Sequence, residues 1–358
     1  MIKRKESLQD TFAKAVQSYR NREFKTGELY CYKILSIDPN HIESLNLLAT
    51  IFAHERNFKK AIDFLKKILK IEPNNLTALN NLGTAYKELG QLEKAINFYE
   101  KTLKINPQHT NANYNLGLIF HMSKDLQKAK KYLKKTVEIQ NNYAMAFFSL
   151  ANVHVELREN KEALSAYQKA LEINPKIISI HNNLGLLYRE LNDTENAIKC
   201  YQEALKLNSY YTNAHHNLGQ IYKEKGEFEN SIKHHEIAIK TEPENLMNYW
   251  FLSEIKKDIL NSELKKKIEK ILNNKKINTT NLAYGNYLLA KYQREAKNHE
   301  EELNHLIKGH HNFYERNKKK FDLGLKYCFD DVHQIIIQSK IEKSNVEKDV
   351  REKPIFIF

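Results

Sequence analysis

Seven positions spaced 34 residues apart, Pro39, Pro73, Pro107, Asn141, Pro175, Ser209 and Pro243, hold five of the chain's 6 prolines. Proline cannot donate a backbone hydrogen bond to a continuing helix, so prolines in fixed phase cut the chain into units of one length. A period of this size marks a stacked repeat, in which each unit buries its apolar side only against its neighbours. The fold has to be assembled from copies of one small supersecondary piece.

The piece is clearest in Leu76 to His109, LTALNNLGTAYKELGQLEKAINFYEKTLKINPQH. Leu79, Leu82, Gly83 and Tyr86 fall at i, i+3, i+4 and i+7, one face of a helix. Ala95, Phe98, Tyr99, Thr102 and Leu103 repeat that spacing, and Gly90 between the two runs suits a turn that needs freedom from a Cβ. The unit reads as a helical hairpin. Other positions keep the phase. The residue after the first-helix leucine is small (Ala49, Gly83, Gly117, Ala151, Gly185, Gly219), as is the one opening the second helix (Ala61, Ala95, Ala129, Ala163, Ala197, Ser231). Four residues further stands a large group (Leu65, Tyr99, Leu133, Tyr167, Tyr201, His235), expected to fill the space between neighbouring hairpins.

Composition agrees with a helical array: 10 glycines, 41% apolar residues and almost no strand-like alternation in 358 residues. The formal charge is +13. Basic residues read as spread over solvated helix faces, and because clusters rather than net charge mark nucleic-acid binding, RNA is the lesser reading. Cys31, Cys200 and Cys328 show no CxxC or metal spacing, which points to a reducing compartment. The amino-terminal MIKRKESLQDTFAKAV lacks the apolar core of a signal peptide, and no run approaches the roughly 18 apolar residues of a membrane span. A soluble, cytoplasmic protein is expected, with no membrane partner.

Stretches such as NNLGTAYKELGQLEKAINFYEKTLKINP and NNLGLLYRELNDTENAIKCYQEALKLN resemble the tetratricopeptide repeat (TPR). Repeats begin near Leu8, Ile42, Leu76, Thr110, Ala144, Ile178 and Thr212. The resemblance implies an all-α, right-handed TPR superhelix (an α-solenoid) of about seven hairpins over residues 1–245, with a helical carboxyl-terminal extension. The first repeat departs from the pattern at Thr11, Lys14 and Gly27, as a capping repeat with a polar outer face does.

Past Pro243 the pattern changes. Tyr249, Trp250 and Leu252 begin another first helix, and Ile259, Leu264, Ile268, Ile271 and Leu272 share one apolar face. A drifted hairpin is expected over 282–311, within a divergent helical segment 246–340. Residues 341–358 read as a charged link into Pro354 to Phe358, PIFIF, the start of a strand that is not stable alone. This order of parts resembles the amino-terminal portion of bacterial TPR-sulfotransferase fusions. The resemblance implies a sulfotransferase domain as neighbour or partner, and 3′-phosphoadenosine 5′-phosphosulfate as its cofactor only where that domain exists; no cofactor is expected for the residues present.

Functional residues are sought on the first helices. Asn81, Asn115, Ser149, Asn183 and Asn217 stand 34 apart, and an amide offers both donors and an acceptor. Such a row suits the backbone of an extended peptide, and the TPR portion of O-linked N-acetylglucosamine transferases is similar in carrying one. Tyr114, Phe148 and His216 add side-chain contacts, with Lys87, Arg189 and Lys223 further along. The competing reading is that asparagine is abundant here and any exposed face is polar. Mixed charge and aromatics suit a protein or peptide better than a phosphate backbone. The pairs His215-His216, His234-His235 and His310-His311 invite a metal, but adjacent helix residues diverge by about 100°, and His181 and His215 read as packing residues. No Gly-rich phosphate loop, Ser/His/Asp or Cys/His grouping appears, so a binding scaffold rather than an enzyme is expected. Arg316 and Lys318 to Lys320 read as a solvated basic run.

Overall fold

The computed structural model describes residues 7–274 and 276–314. Arg316, Lys318 to Lys320, Cys328 and the whole of 341–358, including Pro354 to Phe358, lie outside the described residues. The chain divides into two compact units, 1–208 and 209–358.

Unit 1 is six antiparallel helix pairs: α1 (Leu8–Arg20) with α2 (Phe24–Leu35), α3 (Ile42–His54) with α4 (Phe58–Ile71), α5 (Leu76–Glu88) with α6 (Leu92–Ile105), α7 (Thr110–Met122) with α8 (Leu126–Ile139), α9 (Ala144–Glu156) with α10 (Asn160–Ile173), and α11 (Ile178–Glu190) with α12 (Thr194–Leu207). Within unit 1 each second helix from α2 to α10 then packs on the first helix of the next repeat. Successive first helices also touch one another, as α5 does α7 and α7 does α9, whereas no two second helices pack to that degree. Within unit 1 the first helices therefore form the inner layer and the second helices the outer one.

Local chemistry sets the helix ends. Side chains accept from the third backbone N–H of several helices: Asn57, Asn75 and Asp125 at α4, α5 and α8, and the Nδ1 atoms of His41 and His109 at α3 and α7, 3.2 Å from Ser44 N and Ala112 N. Such caps satisfy donors that have no partner within the helix. Second helices end where the residue before the phase position turns extended, Asn106 at φ −132° and Asn174 at φ −145°, as a following proline demands. The turn inside each hairpin is left-handed at Arg22, Arg56, Gly90, Lys124, Arg158, Asn192 and Gly226, again 34 apart, so glycine serves this position only twice.

The large phase residues also pack inside their own hairpin. Each sits over the small residue of its own pair: a Cβ added to Gly83, Gly117 or Gly185 would come within 2.6 to 2.7 Å of Tyr99, Leu133 or Tyr201. Missing side chains on the first helix are what admit the ring of the second. A further phase position ties the repeat junction. Asn113 Nδ2 donates to Pro107 O at 3.1 Å, and His181 Nε2 to Pro175 O at 2.8 Å, so His181 is a hydrogen-bonding residue as well as a filler. The polar first repeat folds, with Thr11 buried and its hydroxyl donating to Ser7 O.

Unit 2 opens with the seventh hairpin, α13 (Thr212–Glu224) and α14 (Phe228–Thr241). The short α15 (Leu246–Ser253), a 3-10 turn (Lys257–Ile259), α16 (Ser262–Leu272) and α17 (Thr279–Glu295) follow, and residues 299–314 form α18. Ile259 belongs to the 3-10 turn rather than to the helix that buries Leu264 and Ile268. Here too the junction bond recurs, from His215 Nε2 to Ser209 O at 3.0 Å and from Tyr249 to Pro243 O at 3.1 Å. Asn281 locks α17 to the start of α15, accepting from Leu246 N at 2.9 Å and donating to Glu244 O at 2.8 Å. Arg294 to Glu302 at 2.6 Å joins α17 to α18, so Glu302 is an ion-pair partner where the repeat would have a small residue. Among the described residues there is no strand, and no helix is long and apolar enough to cross a membrane.

Candidate functional site: the first-helix face

In unit 1 the amide row is partly engaged within the protein. Asn115 Oδ1 accepts from Lys87 Nζ at 2.9 Å, one repeat earlier, and its Nδ2 donates to Asn111 O at 2.9 Å. Asn183 Nδ2 donates to Asn152 Oδ1 at 3.1 Å, and its Oδ1 accepts from Asn182 at 3.2 Å. Ser149 is buried, 3.5 Å from the Tyr114 hydroxyl, and Tyr114 in turn leans on Tyr143 with ring centroids 4.9 Å apart. Phe148 is half-buried, 6.1 Å from Tyr167. Asn81 is the most open rung: its Oδ1 has only a 3.4 Å contact from Asn80. An amide has two donor hydrogens and two acceptor lone pairs, so even the engaged rungs keep capacity for a ligand.

Asn81 lies in a cleft of about 550 Å³ between the second and third repeats, with Thr50, His54, Arg56, Thr84 and Glu88 among its lining. Thr50, Thr84 and Asn152 share one phase three residues after the amide row and make a second polar row that sequence reasoning missed. The signal was present, since 50, 84 and 152 differ by multiples of 34. Arg56 was hidden because it reaches the cleft from a left-handed turn, outside either helical pattern.

Charges at the ends of the first helices are paired across repeats. His121 Nε2 and Lys124 Nζ meet Glu156 at 2.9 and 2.7 Å and Arg158 pairs with Glu190, while Glu159 takes Lys130 from the second helix α8 and His154 from its own repeat. Partial burial pushes the Glu156 carboxyl up, but the bonds from Lys124 and His121 more than offset it and hold it below its usual range. Lys87 has Glu88 at 3.6 Å besides Asn115. Arg189 is half-buried, and its charge acts on the phenol of Tyr201. The face is thus a neutralised polar surface rather than a basic one.

In unit 2, Asn217 is buried on α13, and Lys223 pairs with Glu254 at 2.8 Å, which Lys291 also meets at 3.3 Å. His216 packs by its edge on Phe251, centroids 4.9 Å apart, and on His235 at 5.7 Å. His215 and His234 face each other, Nδ1 to Nδ1 at 2.8 Å. With His215 Nε2–H given to Ser209 O, its Nδ1 accepts from His234. Among the described residues no group of three or more His, Cys, Asp or Glu could hold a metal ion.

Models of the tetratricopeptide repeat match residues 41–108, 76–142, 108–176, 166–199 and 214–247, and a model described as TPR repeat matches 185–226. Together they span 41–247, more than half of the 358 residues. No curated protein matches the chain. Among solved structures, the carboxyl-terminal part of a TPR repeat-containing protein from Cytophaga hutchinsonii is 15% identical, covering 67% of this chain and 99% of that one, with a TM-score of 0.55. PilF of Pseudomonas aeruginosa is 19% identical over 61% of this chain and 97% of its own, with a TM-score of 0.53. MamA is 25% identical over 45% and 95%, with a TM-score of 0.44. The two higher scores show the same kind of fold and nothing finer. With its period, its glycine-under-ring packing and these matches, the chain belongs to the tetratricopeptide repeat family.

Proposed function

We propose that the chain is a scaffold that binds an extended segment of a protein or peptide along the first-helix face. The observation that carries this reading is the open cleft around Asn81, whose polar lining comes from two consecutive repeats. An extended backbone offers alternating N–H and C=O groups, and the amides and hydroxyls at Asn81, Thr84, Asn115 and Asn183 can serve either. The paired charges nearby limit the draw on a phosphate backbone, which needs uncompensated positive charge. A cytoplasmic location goes with this reading, since Cys31 and Cys200 are free thiols and burial pushes both up, to about 12 and about 11.

The test is a peptide selected from a random library against the full chain, followed by Asn→Ala at the three unit 1 rungs Asn81, Asn115 and Asn183. With each lost hydrogen bond worth roughly 1 kcal/mol, affinity falls about fivefold per engaged rung while the helical circular dichroism is retained. Unchanged affinity in the threefold variant refutes the amide row as the binding device. The reading as a scaffold joined to a sulfotransferase rests on residues outside the described part, and no contact described above favours it.

A further inference from the structure

The chain's positive charge is gathered on one part of the outer layer of unit 1. Helices α4, α6 and α8 carry thirteen lysines, no arginine and four carboxylates, Asp63, Glu93, Glu100 and Glu138. That excess of nine compares with +13 for all 358 residues. The second helices that follow, α10, α12 and α14, balance two lysines with two glutamates each.

Six of these lysines are held in a repeating device. Phe52 stacks on Phe64, Tyr86 on Phe98 and Phe120 on Tyr132, with centroids 5.6, 5.5 and 5.6 Å apart and planes within 9°. Lys60, Lys94 and Lys128 lie over the first ring of each pair, 4.8, 5.5 and 5.1 Å from its centroid. Lys67, Lys101 and Lys131 lie over the second at 5.2, 5.3 and 5.9 Å. All six are exposed, and only Lys128 meets a carboxylate, Asp125 at 2.9 Å. A ring face attracts an ammonium without neutralising it, so the stacks fix the lysines in place with their charge intact. Along α4 and α6 the two lysines stand seven residues apart, about 10 Å, and along α8 three residues apart, about 4.5 Å.

We infer that the outer face of α4, α6 and α8 binds the phosphate backbone of duplex nucleic acid without reading its sequence. Lysine presents a point charge, and the face has no arginine fork for bidentate contact with base edges. The rings are covered by lysines and turned against each other, so they offer no platform on which an unpaired base could stack; a duplex, with its bases already paired, loses nothing by this. An anionic membrane or an acidic protein would call for apolar groups to insert or bury. Large hydrophobics exposed on these three helices are only Ile71 and Ile105, at the ends of α4 and α6. The lysines lie on the second helices, and the surface does not use the amide row of the first helices.

The experiment is fluorescence anisotropy of the full chain with a labelled random-sequence duplex, across about 50 to 200 mM salt. Four phosphate contacts give a log-log slope of about −3.6, a loss of about 150-fold over that range. Lys60→Gln, Lys67→Gln, Lys94→Gln and Lys101→Gln together should remove most of the slope and leave the circular dichroism unchanged. Lys169→Gln with Lys206→Gln, whose lysines pair with Glu172 and Glu203, should bind as the wild type does. The proposal is overturned if the duplex is not bound at low salt, or if the fourfold variant keeps the wild-type slope. Tighter binding to phosphatidylserine vesicles or to poly-glutamate than to the duplex overturns it too.

Discussion

His235 is the one large phase residue that is polar throughout, and replacing it with leucine should stabilise unit 2. The side chain is fully buried over Gly219, and neither ring nitrogen has a hydrogen-bond partner. Leucine already fills the corresponding place over Gly117, so the shape is compatible. A buried donor left unsatisfied costs about 1 to 3 kcal/mol, which is the expected gain of His235→Leu at neutral pH. The pH dependence is a sharper signature. Burial first, then the charges of His216, His234 and Lys223, push the His235 pKa down to about 3, whereas an exposed histidine titrates near 6.5. The unfolded chain therefore takes up a proton as pH falls through about 6.5 and the native chain does not until about 3. Stability is full above that window and drains within it by roughly 1 kcal/mol per pH unit. Urea unfolding followed by circular dichroism at several pH values between 7 and 4 should show the gap between His235→Leu and wild type widening as pH falls. His234, lowered to about 4, titrates in both proteins and cancels in the difference. Parallel pH profiles, or a variant less stable than wild type at pH 7, would refute the reasoning.

Two further substitutions probe the repeat geometry. Gly185→Ala places a methyl 2.7 Å from the Tyr201 ring and should cost about 1 to 3 kcal/mol as overpacking. Adding Tyr201→Leu should recover most of it, because Ala49 already coexists with Leu65; thermal melts that rank the double variant below the single one would contradict this. Gly90 sits at φ 71° with nothing within 4 Å of a built Cβ, so Gly90→Ala isolates backbone strain and should lower stability by about 1 kcal/mol, measured by chemical denaturation, with no change expected in the core.

Much of this architecture was legible because in a stacked repeat the period dictates the contacts. Gly83 and Tyr99 meet for the same reason as Gly185 and Tyr201, so reading one hairpin read seven. The spacing did not show that the missing Cβ atoms of Gly83, Gly117 and Gly185 open each hairpin to its own large residue. The amide row was visible as a row, but not its engagement, since whether Lys87 reaches Asn115 depends on the distance between repeats and not on their spacing in sequence. Arg56 escaped because left-handed turns carry no helical periodicity. The divergent helices past Pro243 were placed only roughly, since Asn281 and Trp250 make contacts that no other repeat shares.

The charge illustrates how a correct total can mislead. Read along the chain, lysines alternate with neutral segments and look dispersed. Folding sorts the alternate segments into layers, so that α4, α6 and α8 fall on one side of unit 1 while α3, α5, α7 and α9 fall on the other. The same sorting acts on the acids. Glu156 and Glu190 come within reach of cations in the preceding repeat, whereas of the thirteen lysines on α4, α6 and α8 only Lys128, Lys130 and Lys135 meet a carboxylate. Two faces of opposite electrostatic character then follow from one repeating hairpin with lysines concentrated on only one of its helices. Neutralised polar groups favour a ligand recognised by hydrogen bonds at short range, and uncompensated lysines favour one attracted at long range and released by salt. A partner of each kind therefore meets its own set of residues, Lys130 alone being shared, since it stands on α8 and pairs with Glu159.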